Sequence, residues 1–168
     1  MLLTDERIAA AANINRFNGW TRRPYSILEH MVIGAMTMRH LDYHPMAIRA
    51  FLIHDMHETE IVGDVPTPDK ALYMAPEYFE ECARLDLHLC DSVGVDPMFL
   101  MSSEVKEIDA AMLAVESDLL FTGDWRAFHS NDAAMEFAGR MITSEVCRGL
   151  RAIDYFDDML FMTRRDAA

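Results

Sequence analysis

The chain of 168 residues carries 15 Lys plus Arg against 28 Asp plus Glu, a formal net charge of −13. That sign of field repels a phosphate polymer over most of the surface, which excludes a general nucleic-acid binder and leaves room only for a small phosphorylated ligand held by a local cation cluster or a metal. Three cysteines, Cys82, Cys90 and Cys147, form no CxxC pair and give neither a disulfide framework nor a thiolate zinc knuckle, so a reducing, cytoplasmic compartment is expected.

The N-terminal MLLTDERIAA lacks the basic flank and apolar run of a signal peptide, and no stretch of 18 apolar residues occurs, so neither secretion nor membrane spanning is expected. With 7 Gly and 6 Pro the sequence is short of the punctuation that many strands require, and an all-α fold follows. The first predicted helix runs from Thr4, a Ser/Thr-type N-cap, to Phe17, where Asn18-Gly19 ends it. The second opens on a capping box, Ser26 with Glu29, and continues to His40. The third opens at His44-Pro45 and is predicted to reach Ile61. A corner follows at Gly63-Asp64-Val65-Pro66-Thr67-Pro68, because two prolines and a glycine cannot continue a helix. Pro76 to Val93, Ser103 to Phe121 and Asn131 to Phe161 complete about six helices, the last with a break near Gly149. No repeat or Gly/Ser-rich linker divides the sequence, so residues 1–168 are expected to form one compact domain, a helical bundle burying roughly 70% of its unfolded surface.

Several inward-facing positions are polar. Helical spacing groups Phe51, His54, Asp55 and Glu58 on one face, Ile27, His30, Met31 and Gly34 on a second, and Asp109, Met112, Leu113 and Glu116 on a third. A buried carboxylate needs a partner of opposite charge, and a divalent metal would serve. His30, His54, Asp55 and Asp109 make a mixed N/O donor set suited to manganese, iron, cobalt, nickel or zinc. Water bound there would be acidified toward neutral pH and become a nucleophile. Other readings stay open at this level. A lone His on an apolar stripe is more often a satisfied core residue, and Asp109 and Glu116, taken separately, are more often a solvated face or an internal salt bridge. Adjacent residues on a helix point about 100° apart, so His54 and Asp55 can share one ion only if it lies between their directions.

The order His30, then His54-Asp55, then Asp109 resembles the H…HD…D signature of HD-domain metal-dependent phosphohydrolases. The segments RFNGWTRRPYSILEH (Arg16 to His30), FLIHDMHETEIVGDVPTPDK (Phe51 to Lys70) and VKEIDAAMLAVESDLL (Val105 to Leu120) are similar to the compact branch with 5'-deoxynucleotidases and phage dATP triphosphohydrolases, a likeness spanning about residues 10–125. The resemblance implies an interior site holding a divalent metal (Mn, Co, Zn, Fe, Ni or Mg) through His30, His54, Asp55 and Asp109, with Glu58 as the catalytic carboxylate. It also implies Asp64 near the same site, where it would help hold a second ion. The Glu58 to Asp64 stretch is one residue longer than the common family pattern.

Arg16 and Lys70 are the cations the resemblance offers to phosphate, with Arg22 and Arg23 as further candidates. Trp20 stands where many similar sequences carry a smaller residue, and its indole could stack on a nucleobase. His57 is expected outward or behind a neighbouring ligand. The activity this implies is hydrolysis of a small nucleotide. A deoxynucleoside triphosphate, dATP first among them, would release triphosphate; the alternatives are a 5'-deoxynucleotidase on monophosphates and a nucleotide-binding module without turnover. A nucleotide substrate, no nucleic-acid polymer, no membrane and a symmetric homo-oligomer are the expected partners.

Overall fold

A computed structural model describes residues 2–61, 63–65, 74–149 and 151–166. Among them are seven α-helices: α1 (Asp5–Asn13), α2 (Ile27–His40), α3 (Pro45–Phe51), α4 (Pro76–Val93), α5 (Ser103–Leu119), α6 (Asp132–Ser144) and α7 (Arg151–Asp166). Short 3-10 turns occupy Arg16–Gly19, Met56–Thr59 and Pro97–Phe99. No strand forms among the described residues, and two isolated antiparallel bridges, Asn15 with Ser26 and Thr21 with Phe121, are the only extended pairings there. The all-α reading holds.

The bundle is built around α2. Its start is the capping box read from sequence: the Ser26 side chain accepts from the Glu29 N–H, and the Glu29 carboxylate accepts from the Ser26 N–H. From Ile27 to Met38 nearly every side chain is buried, as in a helix packed on all sides. Helices α1, α3, α5, α6 and α7 all touch it. A full helix-length of Ile, Leu, Met and Val taken from water, at roughly 1.5–3 kcal/mol per side chain, makes α2 the main stabilising element. Gly34 is required within it, because a Cβ there would collide with the Phe51 ring of α3.

Three boundaries differ from the periodicity. Helix α1 ends at Asn13, four residues before Phe17, because the chain turns extended to pair with residues 25–27: the Arg16 N–H donates to the Tyr25 carbonyl and the Ile27 N–H to that of Ile14. The third predicted helix stops at Phe51, not Ile61; beyond it Ile53, Met56 and Glu58 donate to carbonyls three residues back, and Asp55 takes φ −102°, ψ 5°. The final helix is split by left-handed Glu145 and Gly149 into α6 and α7, near the expected break. Residues 66–68 of the predicted corner, and Lys70, lie outside the described residues.

Candidate metal centre

Three elements bring the polar residues together. His30 sits in the first turn of α2, His54 and Asp55 in the irregular stretch after α3, and Asp109 in α5. His30, His54 and Asp109 converge as one potential ligand group, each offering one atom within 4.8 Å of the others. The two histidines meet through Nε2, 3.3 Å apart, and Asp109 Oδ1 lies 3.3 Å from His30 Nε2 and 3.7 Å from His54 Nε2. Asp55 Oδ2 is 3.4 Å from His54 Nε2 and 3.8 Å from His30 Nε2, while accepting from Arg16 Nη1 at 3.1 Å. The departure from helix after Phe51 is what lets adjacent His54 and Asp55 face one space, which a regular helix would keep about 100° apart.

Each imidazole is aimed by its other nitrogen. His54 Nδ1 meets the Phe51 carbonyl at 2.7 Å, and His30 Nδ1 meets Glu116 Oε1 at 2.7 Å. In both rings Nδ1 is the donor of that bond, and Nε2 faces the cluster. The Phe51 ring wedges beside both, with centroids 5.6 Å from His30 and 4.5 Å from His54.

Arg16 is the buried cation of the site. Its Nε donates to Glu116 Oε2 at 3.1 Å, its Nη1 to Asp55, and Asp64 Oδ1 lies 3.9 Å from that Nη1. Asp64 Oδ2 also accepts from the Phe17 N–H at 2.6 Å, which holds a turn where Phe17 and Asn18 both take positive φ, 55° and 49°. That conformation disfavours L-residues and is offset here by the buried carboxylate and by Phe17 packing on Phe121 and Trp125. Asp64 thus braces Arg16 and its turn and stands outside the convergent trio. Glu58 is buried on the 3-10 turn Met56–Thr59, and its neighbour His57 is buried against Asp86 of α4, Nδ1 to Oδ1 2.9 Å. Trp20 is 65% exposed and closes the turn that begins at Arg16; its carbonyl accepts from the Thr122 N–H. Arg23 is paired with Glu29 at 2.9 Å, and the exposed Arg22 reaches the Leu119 carbonyl.

The electrostatics favour a cation. Burial, then Arg16, works against a charged His30, yet Glu116 and Asp109 raise it to about 9. Burial likewise opposes a charged His54, which Asp55 and Asp109 raise. Against their own burial, Asp55 is held far below the carboxylate range by His54, His30 and Arg16, and Asp109 by the two histidines. Protons drawn onto both ligand imidazoles report a field that attracts positive charge. Two nitrogens and two carboxylates, all borderline or hard donors, fit a first-row divalent ion.

The sequence singled out Glu116 only as a salt bridge or solvated face and did not mark Tyr25 or Asp86. The available signal for Glu116 was its place seven residues after Asp109, on the same helical face. Nothing local marks Tyr25, whose hydroxyl donates to Glu116 Oε1 at 2.8 Å.

The helical bundle thus carries an internal His/His/Asp/Asp set of metal-donor types. Residues 14–94, the segment carrying His30, His54 and Asp55, match the HD domain. Across the whole fold the chain is similar to the cyanophage S-2L HD phosphohydrolase DatZ, solved bound to dA and one catalytic Zn2+ ion; identity is 19%, the TM-score 0.50, and the match covers 99% of this chain and 98% of that one. No curated protein sequence matches the chain. No helix among the described residues is long and apolar enough to cross a membrane.

Proposed function

We propose that the protein hydrolyses a deoxynucleoside triphosphate, dATP first among the candidates, at the α-phosphorus, giving nucleoside and inorganic triphosphate. The observation that carries this reading is the convergence of His30, His54 and Asp109 on one point, with Asp55 and a buried guanidinium against it. The dA bound to the similar cyanophage protein supports a deoxyadenosine moiety here. His30, His54, Asp55 and Asp109 would hold a divalent ion, which would supply Lewis acidity there.

The chain's own residues do the rest. Arg16, fixed through Nε, presents a permanent positive charge to phosphate oxygens and offsets the charge that develops on them. Glu58, one turn past Asp55 and buried, takes the proton from the attacking water and returns it to the leaving 5'-oxygen. Trp20 offers an indole face to the base, and Lys70 a second cation to the phosphates. Asp64 keeps Arg16 and its turn in place. The reading includes a symmetric homo-oligomer, whose mass light scattering measures.

The test is a panel of deoxynucleoside tri- and monophosphates offered to protein loaded with manganese, cobalt or zinc, with products identified. Triphosphate released from dATP is the expected result. Orthophosphate from monophosphates alone would replace it with a 5'-deoxynucleotidase, and binding without any product would remove catalysis.

A further inference from the structure

We infer that Glu116 is a positioning residue that sets His30 and Arg16 together, so that one buried carboxylate fixes both the metal-facing nitrogen and the guanidinium beside it. The part concerning His30 needs only a metal; the part concerning phosphate rests on the function proposed above.

Glu116 lies in α5, fully buried, and receives three donors. His30 Nδ1 and the Tyr25 hydroxyl meet Oε1 at 2.7 and 2.8 Å, and Arg16 Nε meets Oε2 at 3.1 Å. A carboxylate accepts at about four lone-pair positions and donates at none, so it accepts only the Nδ1–H tautomer of His30. With that proton fixed, Nε2 is the atom left 3.3 Å from both His54 Nε2 and Asp109 Oδ1. A carboxylate behind a ligating imidazole also raises the basicity of the ligating nitrogen.

The same anion governs Arg16. Holding Nε fixes the plane of the guanidinium fork, which keeps Nη1 at 3.1 Å from Asp55 Oδ2. Glu116 is therefore shared between a residue that binds the ion and one that neutralises substrate charge. An ordinary core salt bridge would join α5 to the Arg16 turn without regard to which His30 nitrogen faces the cluster. The fully buried Tyr25 hydroxyl completes the cage and holds Oε1 in place.

The test is Zn2+ affinity measured by competition with a chromophoric chelator for the wild type, Glu116→Gln and Tyr25→Phe, with the 15N spectrum of the histidine rings recorded on zinc-loaded wild type. Glu116→Gln is expected to weaken Zn2+ binding about 10- to 100-fold, while Tyr25→Phe, which removes one donor to Oε1 but keeps the carboxylate behind His30, weakens it less. The wild-type spectrum should show His30 protonated at Nδ1 and ligated through Nε2, a readout independent of any variant's folding. An unchanged Kd in Glu116→Gln, or His30 ligated through Nδ1, would overturn the inference. Nucleotide turnover on the same samples separates the two proposals. An inactive wild type with weakened zinc binding in Glu116→Gln removes the proposed reaction and keeps the role of Glu116; an active wild type with unweakened binding in the variant does the reverse.

Discussion

At the scale of single residues, the centre balances charge within a small volume. Arg16 faces Glu116, Asp55 and Asp64, and the histidines face Asp55 and Asp109. Glu58 is the buried carboxylate assigned to proton transfer. Glu58→Gln should lower kcat by roughly 10²- to 10⁴-fold while metal content, read by elemental analysis, stays at the wild-type level. Equal loss of metal and activity would make Glu58 a ligand instead. The histidines add a pH dependence. In the metal-free protein His30 is raised from 6.5 to about 9, so its contribution to stability is fully present below pH 6.5 and disappears as pH climbs through about 9. His54 is raised as well and acts in the same direction. Asp55, Asp109 and Glu116 are lowered, so what they contribute is lost only on the acid side. Metal-free protein in EDTA should therefore lose stability between pH 6.5 and 9, of the order of a few kcal/mol, read as a falling Tm, and metal should restore it by taking the proton's place. Proton competition also implies that Zn2+ affinity rises about tenfold per pH unit over that range if one proton is displaced.

At the scale of elements, the clear case is α3 and the stretch behind it. Apolar periodicity and the absence of Gly or Pro predict helix from Pro45 to Ile61, yet the helix ends at Phe51. At the break the Phe51 carbonyl accepts from His54 Nδ1, three residues on, and the 3-10 bonds that follow turn His54 and Asp55 toward one point, where Arg16 and Asp109 meet them. Such a break is written in the partners of those side chains, so a reading of local spacing does not see it. The α2 start was legible because its signal is local, Ser26 and Glu29 satisfying each other's backbone donors. The H…HD…D order named His30, His54 and Asp109, which the fold brings together, whereas the bracing by Tyr25 and Asp64 joins residues far apart in sequence and has no periodic mark. Gly34 links the core to the site, since it makes room for the Phe51 ring that packs on both histidines. Gly34→Ala should cost about 1–3 kcal/mol by overpacking, seen as a lower Tm. Because the displaced ring bears on His30 and His54, Zn2+ affinity should also drop, and a variant with reduced Tm but unchanged affinity would show that Phe51 does not position them.

At the scale of the whole molecule, the bundle follows from an α2 that is buried nearly all round and requires helices on every side, which the sequence shows as Ile27, Leu28, Met31, Val32, Ile33 and Met38 with Glu29, His30 and Thr37 among them. The net charge of −13 has a consequence for the proposed reaction. Near the centre, Arg16 and a divalent ion oppose Asp55, Asp64, Asp109 and Glu116, so the described site does not reverse the sign of the molecule's field. A triphosphate therefore approaches against repulsion and is bound only by contacts at short range. Salt shortens the reach of that repulsion, from about 30 Å at 0.01 M to about 10 Å at 0.1 M, and weakens buried contacts far less. Raising ionic strength over this interval at constant divalent metal should raise kcat/KM for dATP several-fold, chiefly through KM, the reverse of an enzyme that steers its anion by a basic surface. Steady-state kinetics in sodium chloride measures this directly. A fall in kcat/KM would mean that cations gather at the mouth of the site and draw the substrate in.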